Sequence, residues 1–483
     1  MNPFLALSNV IPRMVDNPFV VPVDWEWQTG EIWSITGDNG SGKSLLAEII
    51  TGKHGLQQGR IDYPFLTALQ RQFPDHPFHP WEKIRLVSFN AAYSLVDFRT
   101  LYYQQRFHQT ETDDSPFVRD LVSIRDLDAT ITVALQINTL LDKRLIQLSS
   151  GELRKLLIAK AMMDNPAMMI FDNPFIGLDA KSHTQLDALF TQMHQHGVLL
   201  LFLCPSRDEM PSCTTHVLKM DRCAIVDKAP IEAVSAERRD IQIRTGIVPV
   251  DWSVFSVSNK QAADYEVAVQ MEDVDIAYGK LLIRQGVNWT IRKGEKWALL
   301  GPNGSGKSTL LSYIFADNPQ AYAKKMTLFD RRRGSGESIW EIKARIGFTS
   351  SEMHLYYREN VSCLSVVSSG FFDSIGLYRK CNEKQLQQAE QMLETLACSH
   401  LESRSFLKIS SGEQRLVLFA RALIKNPDLL ILDEPFHGLD DGKKLLCRQI
   451  VEQYALQPDK TLIYVTHQRD EIPDCVGSFM ELG

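Results

Sequence analysis

The sequence predicts an α/β protein of two tandem copies of one domain, each a mostly parallel sheet with a helical subdomain. Three observations carry this expectation. Four short blocks recur in the same order at nearly one spacing. Apolar runs that end in a glycine-rich turn or in Asp alternate with helix-permissive sequence. About a hundred residues, including amphipathic stretches, separate the first two blocks of each copy.

The repeat organises everything else. Gly37-Asp38-Asn39-Gly40-Ser41-Gly42-Lys43-Ser44 returns 264 residues later as Gly301-Pro302-Asn303-Gly304-Ser305-Gly306-Lys307-Ser308. Ser149-Ser150-Gly151-Glu152, Asp172 and Gly177-Leu178-Asp179 return 261 residues later as Ser410-Ser411-Gly412-Glu413, Asp433 and Gly438-Leu439-Asp440. A duplicated domain explains that order, and 483 residues suit two or three domains. The expected limits are 1–227 and 263–483. The joining segment, 228–262, holds five basic and four acidic residues and is neither low in complexity nor strongly basic.

Glu31 to Thr36 and Glu295 to Leu300 read as strands that run into the glycine turns. Met168 to Phe171 and Leu429 to Leu432 are short apolar runs closed by Asp, as buried parallel strands are. Val198 to Cys204 and Thr461 to Thr466 add one more strand per copy. Strands alternating with helices place a site at the strands' carboxyl ends. Lys384 to Leu396 is amphipathic and belongs to the expected helical subdomain.

Gly-x-x-x-x-Gly-Lys-Ser after a strand is a phosphate-binding loop. Its glycines let backbone N–H groups turn inward, and the next helix adds its positive end. Lys43 and Lys307 would reach the β/γ-phosphates, while Ser44 and Ser308 would hold Mg2+ with Asp172 and Asp433 at the neighbouring strand ends. Ser149-x-x-Glu152 and Ser410-x-x-Glu413 fit a capping box. A capped helix start with adjacent Ser and Gly is also a grip for an anion, so both roles fit.

Composition narrows the partners. A net charge of −7 provides no global basic field for nucleic acid, and Arg331-Arg332-Arg333 is the one dense basic run, expected to be a solvated loop. The eight cysteines form no Cys-x-x-Cys pair, which suits reduced thiols in a cytoplasmic protein better than disulfides or zinc. Met1-Asn2-Pro3-Phe4 lacks the pattern of a signal peptide. The longest apolar run, Val198 to Cys204, falls far short of the ~20 residues that span a bilayer. Work at the inner face of a membrane would go through another chain.

On these motifs the chain resembles the ATP-binding-cassette (ABC) family over nearly its whole length, with Ser-Ser-Gly-Glu as a slightly altered signature. The resemblance implies ATP with Mg2+ as ligand and head-to-tail pairing of the two domains. Lys43 would then face Ser410, Ser411 and Gly412, and Lys307 would face Ser149, Ser150 and Gly151. It also implies unequal sites. Glu434 stands where the family places the carboxylate that polarises the attacking water, and His467 resembles its switch histidine. The first copy has Asn173 and Pro205 there. Tyr278 is placed to stack on adenine, whereas the first copy has Met14. A positioned general base contributes ~10²–10⁴-fold in rate, so the expectation is an ATPase acting mainly with Glu434, His467 and Lys307. The slow first site either keeps its nucleotide, the favoured reading because Lys43, Ser44 and Asp172 survive, or has drifted as a redundant copy.

The glutamine that couples family transporters to their membrane partner is replaced by Ala92 and Ser351, which argues against ordinary transport. Zinc modules, iron–sulfur cysteine clusters and a long charged linker, the marks of other soluble double cassettes, are absent from the sequence. In length, in its degenerate first half and in Ser350-Ser351 at the coupling loop, the chain resembles molybdenum-transport-associated, photorepair-type double ATPases (the ModF type). This leaves three readings: a cytoplasmic ATPase that switches a protein partner, the ATPase subunit of an importer with a separate permease, and a ribosome or nucleic-acid factor.

Overall fold

A computed structural model describes residues 3–14, 18–88, 116–145, 148, 150–233, 249–255, 264–278, 281–315, 317–350, 353, 357, 360–374 and 376–482, with the side chains of Ser150, Tyr278 and Leu281 left out. Ala92, Ser149 and Ser351 lie outside the described residues. The described residues divide into two compact units, one up to Ala233 and the other from Pro249.

In the first unit the order is β1 (Pro3–Pro12), β2 (Val23–Gln28), β3 (Trp33–Thr36), α1 (Lys43–Ile50), β4 (Leu56–Asp62), α2 (Pro64–Gln72), α3 (Pro80–Lys83) and β5 (Ile84–Ser88). There follow α4 (Val118–Leu121), α5 (Ala129–Leu135), α6 (Ser150–Met162), β6 (Met168–Asp172), α7 (Ala180–Gln195), β7 (Leu199–Cys204), β8 (His216–Asp221) and β9 (Ala224–Pro230). The main sheet has the order β5-β6-β7-β3-β8-β9. Its first four pairings are parallel, and β8–β9 is an antiparallel hairpin. A second, antiparallel sheet, β2-β1-β4, was not foreseen in the sequence.

Alternation explains how the main sheet is covered. Met169, Phe171, Leu200, Phe202 and Cys204 face one core, while Met168, Ile170, Leu199, Leu201 and Leu203 face the other. A sheet with both faces covered needs continuous apolar strands, and β6 and β7 are such runs.

The second unit repeats the plan. Its elements are β10 (Val267–Tyr278), β11 (Leu281–Arg292), β12 (Lys296–Leu300), α8 (Lys307–Ile314), β13 (Met326–Leu328), β14 (Arg331–Arg332), α9 (Ile339–Arg345) and β15 (Ile346–Ser350). The chain goes on through α10 (Cys363–Ser368), α11 (Glu383–Thr395), α12 (Ser411–Leu423), β16 (Leu429–Asp433), α13 (Asp441–Ala455), β17 (Thr461–Thr466) and β18 (Ser478–Glu481). The parallel sheet β15-β16-β17-β12-β18 has the strand order of β5-β6-β7-β3-β8, and an antiparallel sheet β11-β10-β13-β14 lies beside it. Helix α11 covers nearly the amphipathic stretch expected, with Asn382 and Gln385 forming its capping box.

Within 228–262, Lys228 to Pro230 complete β9, and 249–255 packs on the second unit. Trp252 and Phe255 are buried, Trp252 meets Tyr454 edge-on at 5.7 Å, and the Val250 N–H donates to Gln453 Oε1 at 2.7 Å. Burying each of these aromatic rings contributes about 1.5–3 kcal/mol. The arginine run also differs from a solvated loop. Arg331 and Arg332 form β14 and are exposed, but the Arg333 side chain is buried on Glu337 at 2.8 Å and lies over the Tyr322 ring. All eight cysteines are unbridged. Among the described residues no helix is long and apolar enough to cross a membrane.

Candidate active site

The parallel register decides what meets at the strand ends. Thr36 pairs with Cys204 and Asp172 with Leu203, so the turn after β3 lies level with the end of β6. Leu300 with Thr466 and Asp433 with Val465 repeat this in the second unit. Each turn needs glycine because another stretch of backbone passes too close for a side chain. A Cβ on Gly37 would stand 2.2 Å from the Met220 carbonyl oxygen, and one on Gly301 would stand 2.3 Å from that of Leu482. Gly42 and Gly306, at φ 98° and 94°, turn the chain into α1 and α8.

The lysines that open these helices are held inside their loops. Lys43 Nζ donates to the carbonyls of Gly37 at 2.6 Å and Asp38 at 3.0 Å, and Lys307 Nζ to those of Gly301 at 2.7 Å and Pro302 at 2.9 Å. The next residue points to the strand-end carboxylate. Ser44 Oγ donates to Asp172 Oδ2 at 3.0 Å, and Ser308 Oγ to Asp433 Oδ2 at 3.3 Å. A hydroxyl beside a carboxylate, next to a phosphate loop, is the hard-oxygen donor set that Mg2+ takes. Burial pushes the Asp172 carboxyl up, while Ser44 and Lys43 act against it. A bound dication would stabilise that charge further.

One residue further on, the two units have the same backbone and different chemistry. Asn173 and Glu434 both adopt left-handed conformations, with φ 52° and 49°. Their N–H groups donate at 2.9 Å to Leu203 O and Val465 O, which hold equivalent places in β7 and β17. Asn173 turns its amide nitrogen to Asp172 Oδ1 at 3.1 Å, and its own oxygen is buried without a hydrogen-bond partner. Glu434 instead lies between two histidines. His467 Nδ1 is 3.0 Å from Oε1, and His437 Nδ1 is 3.1 Å from Oε2 in a charge contact without hydrogen-bond alignment. Burial opposes ionisation of Glu434, but His437 and His467 outweigh it and hold the carboxyl well below the usual range. His437 moves the other way. Burial disfavours its cation, but Glu434 and Glu471 outweigh that, so its pKa is raised.

His437 was not among the residues expected from the sequence. The signal was present, since the repeat sets His437 against Ile176, a polar residue replacing an apolar one three positions after Glu434. Pro205, opposite His467, is buried and offers no donor. The first unit therefore lacks all three members of the cluster.

The signature residues sit at helix starts. Ser410 caps α12 by accepting from the Glu413 N–H, and Glu413 Oε2 accepts from the Ser410 N–H at 2.8 Å. Ser411 and Gly412 form the first turn of that helix. In the first unit Ser150 and Gly151 open α6, and Glu152 pairs with Lys143 at 2.7 Å. Asp179 and Asp440 cap α7 and α13. Tyr278 ends β10, its side chain outside the description.

Known proteins match this arrangement along the whole chain. The sequence profile of the ABC transporter family matches residues 20–176 and 284–437, one in each unit. The ABC transporter ATP-binding protein ModF of Escherichia coli (strain K12) is 34% identical over 463 residues, covering 94% of this chain and 91% of that protein. An uncharacterized ABC transporter ATP-binding protein of Schizosaccharomyces pombe is 28% identical, covering 99% of this chain and 97% of its own length. Among solved structures, the archaeal ribosome recycling factor aABCE1, in complex with the ribosomal stalk protein aP1, has a TM-score of 0.53 at 18% identity. That similarity covers 98% of this chain and 87% of that one and speaks for the fold alone.

Proposed function

The chain belongs to the ABC transporter family as a tandem ABC ATPase, and from that premise we propose that it is an asymmetric switch. ATP is hydrolysed mainly at a site made from the second phosphate loop and the first signature, while the other site holds its nucleotide as a clamp. In this reading domains 1–227 and 263–483, joined by 228–262, pair head to tail. Lys307 and Ser308 then act opposite Ser149, Ser150 and Gly151, and Lys43 and Ser44 opposite Ser410, Ser411 and Gly412. Tyr278 stacks on adenine. Ser308 with Asp433, and Ser44 with Asp172, would hold Mg2+, which would supply neutralisation of phosphate charge.

The carrying observation is the pair of superposable strand ends with different side chains. Glu434 is a carboxylate hydrogen-bonded to the His467 imidazole, with the His437 imidazole in charge contact beside it. Asn173, in the same backbone position, has an amide that cannot take a proton. Retention of Lys43 inside its loop and of the Ser44–Asp172 contact supports a first site that still binds. The test is to load the protein with labelled ATP, remove free nucleotide quickly, and follow what stays bound. One nucleotide per chain should remain as ATP while the other turns to ADP; conversion of both at one rate would sink the proposal.

The product of switching is a change in a protein partner. Similarity to ModF, whose name joins it to ABC transport, supports a partner in or near a transport system, with a separate permease as the second reading. A Glu434→Gln protein held closed by ATP should carry that partner through purification. Recovery of an integral membrane permease establishes the importer reading, recovery of a soluble protein the switch, and recovery of ribosomes or nucleic acid refutes both.

A further inference from the structure

Glu434, His437 and His467 have a property that the hydrolytic reading does not use. One donor atom from each lies within 4.8 Å of the other two. Two imidazole nitrogens and a carboxylate oxygen form the donor set of open tetrahedral zinc sites. Zinc bonds to N and O are ~2.0–2.2 Å, which spaces the donors of one ion roughly 3–3.5 Å apart. The Glu434 oxygens already stand 3.0 Å and 3.1 Å from the two imidazole nitrogens. Mg2+ prefers oxygen donors in an octahedron, so the cluster and the Ser308–Asp433 pair sort two kinds of cation by chemistry.

The surroundings support the assignment. Glu471 Oε2 lies 3.9 Å from His437 Nε2, a charge contact on the far side of the ring that is too long for a hydrogen bond. Glu471 is fixed in turn by Thr466 Oγ1 at 3.2 Å. All three side chains are nearly buried, His437 and His467 at 6% exposure and Glu434 at 11%. The first unit carries Asn173, Ile176 and Pro205 at the three positions and is an internal control in the same fold.

From this juxtaposition we infer that Glu434, His437 and His467 bind a single transition-metal dication of the Zn2+ class, and that its binding silences hydrolysis at the second site. The inhibitory half rests on the proposed roles of Glu434 and His467, because a metal on their donor atoms leaves neither free for water or the γ-phosphate. The binding half rests on geometry alone.

The test titrates Co2+ into the nucleotide-free full chain. Four-coordinate N/O sites give visible d–d bands, and cysteine sites betray themselves by thiolate charge-transfer bands. One Co2+ per chain with N/O bands is expected. His437→Ile, the residue the first unit accepts in this position, should weaken binding at least roughly 10–100-fold, the range lost when only an outer partner of a ligand is removed. His437→Gln serves if the isoleucine variant does not fold. Thiolate bands, absence of bands, or equal binding by wild type and both His437 variants would overturn the site. Zinc from a metal buffer should stop wild-type hydrolysis, with each His437 variant, scored against its own zinc-free rate, needing correspondingly more. Hydrolysis that continues with the site filled overturns the inhibitory half. Glu434→Gln separates the two readings: a normal rate in that variant removes the hydrolytic reading, whereas the Co2+ result stands on its own.

Discussion

Glu434→Gln lowers steady-state ATP hydrolysis by about 10²–10⁴-fold, the usual contribution of a positioned general base, and leaves ATP binding intact. Glutamine keeps the side chain's size and can still contact His467, so the backbone turn at φ 49° and the Val465 bond persist. What disappears is the negative charge that two histidines hold ionised. Such a carboxylate works by orienting and polarising water, and an amide cannot replace it there. Asn173→Ala removes only an amide that leans on Asp172, and turnover stays near the wild-type value. Asn173→Glu restores little, because Ile176 and Pro205 supply neither histidine. Comparable losses from Glu434→Gln and Asn173→Ala would end the asymmetric reading.

The division between what could be read in the sequence and what could not follows physical lines. Both phosphate loops, the strands before them and the Asp-terminated strands can be read directly. Each is a continuous local pattern whose spacing repeats, and a buried parallel strand has few apolar alternatives. The pairing of Ser44 with Asp172 and of Ser308 with Asp433 also follows once two strands are known to be neighbours. The antiparallel sheets were missed because β1, β4, β10 and β13 pair across long separations and carry mixed residues, including Gln58 and Thr327. Arg333 was misread because nothing local distinguishes a buried ion pair from a solvated run; Glu337 four residues on was the only cue. His437 was missed because a histidine in a helix-entry turn is ordinary until the fold brings His467, 30 residues later, against the same carboxylate.

Asp373→Asn destabilises the second unit by about 3–5 kcal/mol, the cost of breaking a buried ion pair from one side. Lys425, just past the end of α12, donates its ammonium to Asp373 Oδ1 and to the Lys343 carbonyl at 2.6 Å, and both charged side chains are almost wholly buried. Asparagine is the informative substitution. Asp373 sits at φ 55°, which asparagine tolerates, so the variant removes charge without adding backbone strain. Burial already lowers the Lys425 pKa, and Asp373 is the main influence opposing it. Without that carboxylate the folded state prefers the neutral amine more strongly, while the unfolded chain keeps its proton up to about pH 10.4. The unfolded state then binds more protons, so the variant's stability rises with pH between the two values, and its deficit is full below the folded-state pKa. Asp373→Asn/Lys425→Met should recover most of the loss. A methionine stem replaces the ammonium, and the Lys343 carbonyl still accepts from the Ile346 N–H. Denaturant titrations of the single and double variants at neutral and alkaline pH decide the matter. A pH-independent loss, or a double variant no better than the single one, would mean that packing around Asp373, and not its charge, holds this corner of the domain together.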